Sequence, residues 1–260
     1  MQNQSLPLWP YPKVIAHRGA GKLAPENTLA AFRLGASFGH RAFEFDVKLS
    51  SDGISFLLHD ATLDRTTNGT GRADAHTFGE LARLDAGAWH SPAFAGENLP
   101  SLSAVLRYMR ANGFLVNVEI KPTPGREWQT GAAVALDVQH LWQVEQPLPL
   151  LSSFSETALL AAREVAPQLP RAHLFDRLPE DWPDRLARVG CVALDVNHRE
   201  LSADIVAQAH AHGFRVLCYT VNEPDRAHEL LTMGVDSFIT DAVDRIPPNF
   251  NIDEIGLNRK

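Results

Sequence analysis

The sequence predicts a TIM (β/α)8 barrel with an inserted hairpin and loop segment after its second strand. Three observations lead there. The 260 residues hold eight short apolar runs, near positions 14, 43, 116, 150, 172, 192, 216 and 237, separated by helical patterns. The rhythm breaks only once, over residues 50 to 100. Nearly every run ends in charged or polar residues, and the C-terminal ends of strands are where this fold carries its chemistry.

The elements follow in order. Val14 to Arg18 reads as a strand ending at Gly19-Ala-Gly21, and a helix is expected from Asn27 to Gly39 with Leu29, Phe32 and Ala36 on its apolar face. Phe43 to Asp60 reads as a strand, a Ser-Asp-Gly turn and a returning strand. Period-two alternation puts Glu44, Asp46 and Lys48 on one face and Phe43, Phe45 and Val47 on the other. A two-residue Asp52-Gly53 loop would set His59 opposite Asp46, and a longer, bulged turn shifts this by about one residue. Residues 60 to 100 are too long for an ordinary connection, with one short helix near Phe78 to Leu84. Helix and strand then alternate: helices 101–112, 126–144, 156–166, 181–189, 202–212 and 224–233, with strands 115–120, 149–152, 171–175, 191–196, 215–220 and 236–240. Asn222 or Glu223 is expected to cap the last helix, and the Pro- and Asn-rich tail from Asp241 to close the bottom or drape over the surface. We expect residues 1–260 to form one domain, with the inserted segment at about 50–100.

Composition excludes several function classes. Hydrophobic content is 45% and net charge is -7 without a basic cluster, which argues against nucleic acid as a main partner. No apolar run approaches the ~20 residues of a membrane helix. The N-terminus lacks the basic and apolar regions of a signal peptide, so a cytoplasmic protein without a membrane partner is expected. Cys191 and Cys218 have no metal-ligand spacing and read as two buried thiols.

The strand ends suggest a reaction. Glu44, Asp46 and Glu119 offer carboxylates from neighbouring strands, and an all-oxygen donor set suits one hard divalent cation, Mg2+ before Ca2+. Arg18 and Lys121 add fixed positive charge that would clamp a phosphoryl group. His17 and His59 stand where a general acid and base are needed. The combination predicts metal-assisted cleavage of a phosphoester.

These residues carry a resemblance. His17-Arg18-Gly19, Ala24-Pro-Glu-Asn-Thr28, Glu44-Phe-Asp46-Val47, Leu58-His59-Asp60, Thr66-Thr-Asn-Gly69, Val118-Glu-Ile-Lys121, Ser153-Phe154, Tyr219-Thr-Val-Asn222 and Ile239-Thr-Asp241 resemble the glycerophosphodiester phosphodiesterases, most of all their short cytosolic bacterial branch. The resemblance implies hydrolysis of glycerophosphodiesters, such as glycerophosphocholine and glycerophosphoethanolamine, to sn-glycerol 3-phosphate and an alcohol. It implies metal on Glu44, Asp46 and Glu119, acid/base work by His17 and His59, and phosphate contact by Arg18 and Lys121. Many relatives carry Trp where this chain has Tyr219, which bears on the pocket wall. The nucleophile is either water or the glycerol 2-hydroxyl through a cyclic phosphate.

Other readings compete at single positions. Asn27, Ser153, Phe154, Tyr219 and Asn222 are candidate pocket residues, yet Asn27 and Thr28 also suit a helix cap and Asn222 the cap of a later one. Ser153 lacks the Gly-x-Ser-x-Gly context of a nucleophile. Trp89 and Phe94 suit either the leaving-group side or packing of the insert. Gly19-Ala-Gly21-Lys-Leu-Ala24 fits a dinucleotide fingerprint on paper, but Pro25-Glu-Asn delays the helix that such a fingerprint needs. A nicotinamide-dependent oxidoreductase and a silent phosphodiester-binding barrel are therefore the rival hypotheses.

Overall fold

A computed structural model describes residues 6–142 and 147–250 of the chain. The end of the expected 126–144 helix and the tail beyond Phe250 lie outside the described residues.

Eight parallel strands close into a barrel: β1 (Val14–His17), β2 (Ala42–Leu49), β4 (Leu115–Ile120), β5 (Leu150–Ser153), β6 (Arg171–Phe175), β7 (Ala193–Asn197), β8 (Arg215–Tyr219) and β9 (Ser237–Thr240). They follow one another around the ring in chain order, and β1 closes it against both β9 and β2. The crossovers run through α1 (Leu29–Ser37), α3 (Leu102–Ala111), α4 (Glu127–Leu141), α5 (Glu156–Val165), α6 (Trp182–Val189), α7 (Ala203–Ala211) and α8 (Pro224–Thr232). Ser101, Ser155 and Ser202 each accept an N–H of the first helical turn, which is why α3, α5 and α7 begin where they do.

Period two sorts the strands into two cores. Outward residues such as Phe43, Phe45, Val116 and Val118 meet the helices in one apolar layer. Inward residues Ile15, Ala42, Leu150, Ala172, Ala193 and Leu217 fill the lower barrel, and Tyr11 closes it from below. Further along the same strands the inward positions turn polar.

The second strand departs from plain βα repetition as expected. β3 (Ser55–Leu57) returns antiparallel on β2, pairing Val47 with Leu57 and Leu49 with Ser55. That register carries Leu58, not His59, opposite Asp46, and the Leu58 N–H donates to the Asp46 carbonyl. The turn is longer than two residues because the Ser50 hydroxyl bonds Asp52 and accepts the Ile54 N–H at 2.9 Å. The insert then builds a small core from Phe56, Leu58, Leu63, Leu81 and Leu99 around α2 (Phe78–Leu81).

The glycines after β1 serve packing. A Cβ on Gly19 would meet Ala31 of α1 at 2.7 Å, and one on Gly21 would overlap the Asp241 backbone. A short 3-10 turn (Gly21–Leu23) follows, and α1 starts only at Leu29. The dinucleotide fingerprint is therefore absent in three dimensions: α1 does not begin within these glycines but packs its first turn, at Ala31, on Gly19.

Candidate active site

Strand register assembles the carboxylates. Glu44 and Asp46 share the inward face of β2, and Asp46 stands level with Glu119 of β4. One oxygen from each of Glu44, Asp46 and Glu119 lies within 4.8 Å of the others, and all three residues are buried. Among the described residues Glu44 Oε1 and Asp46 Oδ1 accept no hydrogen bond, although Lys121 Nζ stands 3.5 Å from Asp46 Oδ1. Buried, unmatched carboxylate oxygens facing one another are costly unless a cation joins them. The donor set therefore fits a hard divalent ion, and a soft ion would lack sulfur or imidazole in this cluster.

The electrostatics agree. Burial, reinforced by Asp46 and Glu119, pushes the Glu44 carboxyl well above its ordinary value. Burial and the Asp46 charge raise Glu119 likewise. Burial acts on Asp46 too, but Arg18 and Lys121 outweigh it and hold that carboxyl far below the usual range. Arg18 Nε lies 3.1 Å from Asp46 Oδ2, and Lys121 Nζ lies 3.0 Å from Glu119 Oε1. Among the described residues Arg18 and Lys121 are the cations in direct contact with these carboxylates.

The histidines flank it. His17 ends β1 level with Glu44. Its Nε2 lies 3.7 Å from Glu44 Oε2, and its Nδ1 lies 2.6 Å from Asp241 Oδ1, just past β9. His59 follows the returning strand, with Nδ1 2.7 Å from Asp60 Oδ1. Burial lowers the His59 pKa; Asp46 opposes this and Arg18 and Lys121 add to it. Each imidazole spends Nδ1 on a carboxylate and leaves Nε2 for the cavity. That cavity measures about 280 Å³ and is lined by His17, Arg18, Glu44, His59, Glu119, Lys121, Phe154 and Tyr219.

The remaining sequence candidates divide. Phe154 and Tyr219 face each other edge-on across the mouth, ring centroids 6.0 Å apart. Asn27 does not reach the cavity: its amide donates to Asp46 Oδ2 at 2.8 Å and its carbonyl accepts the Asp46 N–H, while Thr28 is the residue that caps α1. Ser153 Oγ donates to the Ile120 carbonyl at 2.6 Å and belongs to a neighbouring 330 Å³ cavity that shares Glu119, Lys121 and Phe154. Asn222 neither caps α8 nor lines the main cavity; it donates to Asp241 Oδ2 and accepts the Asp241 N–H. Trp89 and Phe94 pack on His90 within the insert, not in the cavity.

Sequence reasoning gave several contributors no role, although Ser152, Asp195 and Asp241 stood among the polar strand ends. Asn117, Ser152 and Asp195 form the cavity floor, fully buried and with unmatched polar atoms. Asn117 had a signal, since it sits two residues before Glu119 and so on the same inward face. Asp241 stood at a strand end. Glu26 and Arg65 gave no periodic signal: both are loop residues, and they bond to each other.

Arg18 and Asn27 have left-handed backbones, φ 50° and 62°. Asn tolerates this; for Arg it costs about 1–2 kcal/mol. The Asn27 N–H donates to the Arg18 carbonyl at 3.0 Å, so one small loop holds both residues against Asp46.

Residues 17–245 match the sequence profile of the glycerophosphoryl diester phosphodiesterase family. A glycerophosphodiester phosphodiesterase of Caldanaerobacter subterraneus is 34% identical over 233 residues, covering 88% of this chain and 93% of the relative. An Oleispira antarctica phosphodiesterase, solved with the product sn-glycerol-3-phosphate, superposes with a TM-score of 0.86 at 34% identity, covering 92% of this chain and 95% of its own. A glycerophosphodiester phosphodiesterase from Agrobacterium tumefaciens superposes at 0.75 with 30% identity, covering 90% of this chain and 98% of its own.

Proposed function

The chain belongs to the glycerophosphoryl diester phosphodiesterase family and is a glycerophosphodiester phosphodiesterase, and from that premise we propose how its own residues run the reaction. The substrates are glycerophosphodiesters with small alcohol head groups, such as glycerophosphocholine and glycerophosphoethanolamine, cleaved to sn-glycerol 3-phosphate and the alcohol. The barrel and its insert act as one catalytic unit. The observation that carries the reading is the carboxylate cluster with unmatched buried oxygens, set between two carboxylate-held imidazoles.

Glu44, Asp46 and Glu119 would hold a divalent cation, Mg2+ before Ca2+. When bound, it supplies positive charge beside the phosphoryl oxygens. Arg18 and Lys121 hold the diester's phosphate and take up the negative charge that grows as the nucleophile adds to phosphorus. One imidazole accepts the nucleophile's proton at Nε2 as the new P–O bond forms. The other gives a proton from Nε2 to the alcohol oxygen as the old P–O bond breaks. Asp241 and Asp60 keep each Nδ1 protonated, so both rings present Nε2 to the same phosphorus. Phe154 and Tyr219 form the wall along which the head group leaves.

A coupled assay for glycerol 3-phosphate released from glycerophosphocholine tests this. Release should stop with a chelator and return with added Mg2+. Release that persists unchanged after complete chelation would remove the cation from the reading. His59→Ala should lose turnover while keeping its fold, and full activity in that variant would refute its acid/base role.

A further inference from the structure

Arg65 lies in the insert, outside the cavity lining, and touches none of the carboxylates of the cluster. All three of its guanidinium nitrogens are nevertheless engaged. Nε donates to Asp60 Oδ2 at 2.6 Å and Nη2 to Asp60 Oδ1 at 3.0 Å, a two-point grip on the carboxylate that holds His59. Nη1 and Nη2 donate to both oxygens of Glu26 at 2.8 Å. Glu26 Oε1 also accepts from Arg18 Nη1 at 2.9 Å. The chain of alternating charge therefore runs His59–Asp60–Arg65–Glu26–Arg18 and ends on Asp46. It joins two loops, the one after β1, with Arg18 and Glu26, and the insert, with His59, Asp60 and Arg65, which also meet further out where His90 Nε2 lies 3.0 Å from the Lys22 carbonyl oxygen.

We propose that Arg65 is a positioning residue, which with Glu26 and Asp60 clasps the insert to the barrel mouth and sets the His59 imidazole and the Arg18 guanidinium at one working separation. The proposal rests on the phosphodiesterase reading above, since it gives those two groups a common phosphate to serve. Chemistry and geometry select Arg for the task. A planar guanidinium grips two carboxylates in one plane, whereas an ammonium is a point charge that fixes no angle. Glu26 is the branch point, shared between one arginine that faces substrate and one that does not. A single exposed ion pair contributes little to folding, and Arg65 is 45% exposed, although a two-point, networked grip such as this one adds some stability of its own. Its worth lies in placement, because shifts of about 1 Å in a reacting group cost up to ~100-fold in rate.

The variants Arg65→Ala, Arg65→Lys and Glu26→Gln test it in the full-length protein. For Arg65→Ala with glycerophosphocholine we expect kcat to fall about 10–100-fold and KM to rise, since the clasp holds both an acid/base group and a phosphate ligand. Arg65→Lys should stay as impaired as Arg65→Ala, and Glu26→Gln should move both constants the same way. The Arg65→Ala/Glu26→Gln double variant should be little worse than the worse single one, because the two residues act as a unit. Kinetic constants within twofold of wild type in folded Arg65→Ala, or full activity in Arg65→Lys, would overturn the proposal. A crystal structure of Arg65→Ala tests the clasp independently of turnover: His59 and Arg18 should move apart or lose their single positions, and unchanged positions would also overturn it. If wild type itself releases no glycerol 3-phosphate, the functional reading fails, while the positions of His59 and Arg18 in that crystal structure still decide whether the clasp exists.

Discussion

The two halves of the barrel interior are built by the same strands to opposite ends. Below, Ile15, Ala42, Leu150 and Leu217 pack under a Tyr11 stopper. Above, two to four residues further along, His17, Glu44, Asp46 and Glu119 point into the same bore. The lower half buries apolar area and adds stability. The upper half buries like charges and unmatched polar atoms, which opposes folding until something cationic arrives. Stability and chemistry are thus separated along the strand axis, and substitutions can test each half alone.

The largest effect should come from the upper half. Glu44→Gln keeps the shape of a buried carboxylate that burial and its neighbours already push toward neutrality. Chelator-sensitive release of glycerol 3-phosphate should fall on the order of 10³-fold, comparable to losing a main electrostatic element of a transition-state clamp. The melting temperature should hold or rise. A clear fall in melting temperature would show that the cluster stabilises the fold, and the comparison would break.

Leu217→Ala is the counterpart below. The side chain is fully buried in the lower core. Urea denaturation should show a loss of about 2–5 kcal/mol from lost burial plus the cavity left behind. Activity of the folded fraction should stay within a few-fold of wild type. A larger fall in kcat would mean that the two halves are mechanically coupled.

Asp241 lies just past β9 at the upper end, bonded to His17, and it sharpens the comparison through pH. Burial raises its pKa, but the His17 hydrogen bond and charge and the Asn222 amide outweigh this and lower it to about 2. A carboxyl depressed in the folded state contributes stability above its unfolded pKa near 4, and that contribution disappears as pH falls from about 4 to about 2. The shift corresponds to roughly 2 kcal/mol. Between pH 5 and pH 2, wild type should therefore lose about that much more stability than Asp241→Asn. Parallel stability curves for the two proteins would refute the assignment.

How much of this was legible in the sequence follows the same division. Strand positions and inward faces were readable because period two is set by backbone geometry alone, so Glu44, Asp46 and Glu119 could be placed together before any coordinates. The hairpin register was not, since Asp52-Gly53 permits a two-residue loop and a single serine hydroxyl, Ser50, closes a longer one. At Asn27 and Asn222 the sequence left pocket and cap readings both open, for a related reason. The residue that suits a helix cap also suits a carboxylate partner, and here the partners Asp46 and Asp241 won. Arg65 and Glu26 lie 39 positions apart in loops, where no periodicity predicts which side chains meet.

The smallest predicted effect probes the stopper of the lower half. Tyr11 is nearly buried, stacks edge-on against Trp9 at 4.8 Å, and its hydroxyl donates to the Leu148 carbonyl at 2.7 Å. Burial raises its pKa, so the phenol stays protonated and remains a donor through the neutral range. Tyr11→Phe keeps the ring and the aromatic contact and removes only the hydroxyl. The expected cost is about 1 kcal/mol by urea denaturation, the net worth of one such bond. Turnover should be unchanged, because the upper site takes its geometry from strand register and loop contacts above the apolar layer. A kcat altered in this variant would show that the stopper sets the barrel's shape all the way to the carboxylate cluster, and the two halves would then have to be treated as one body.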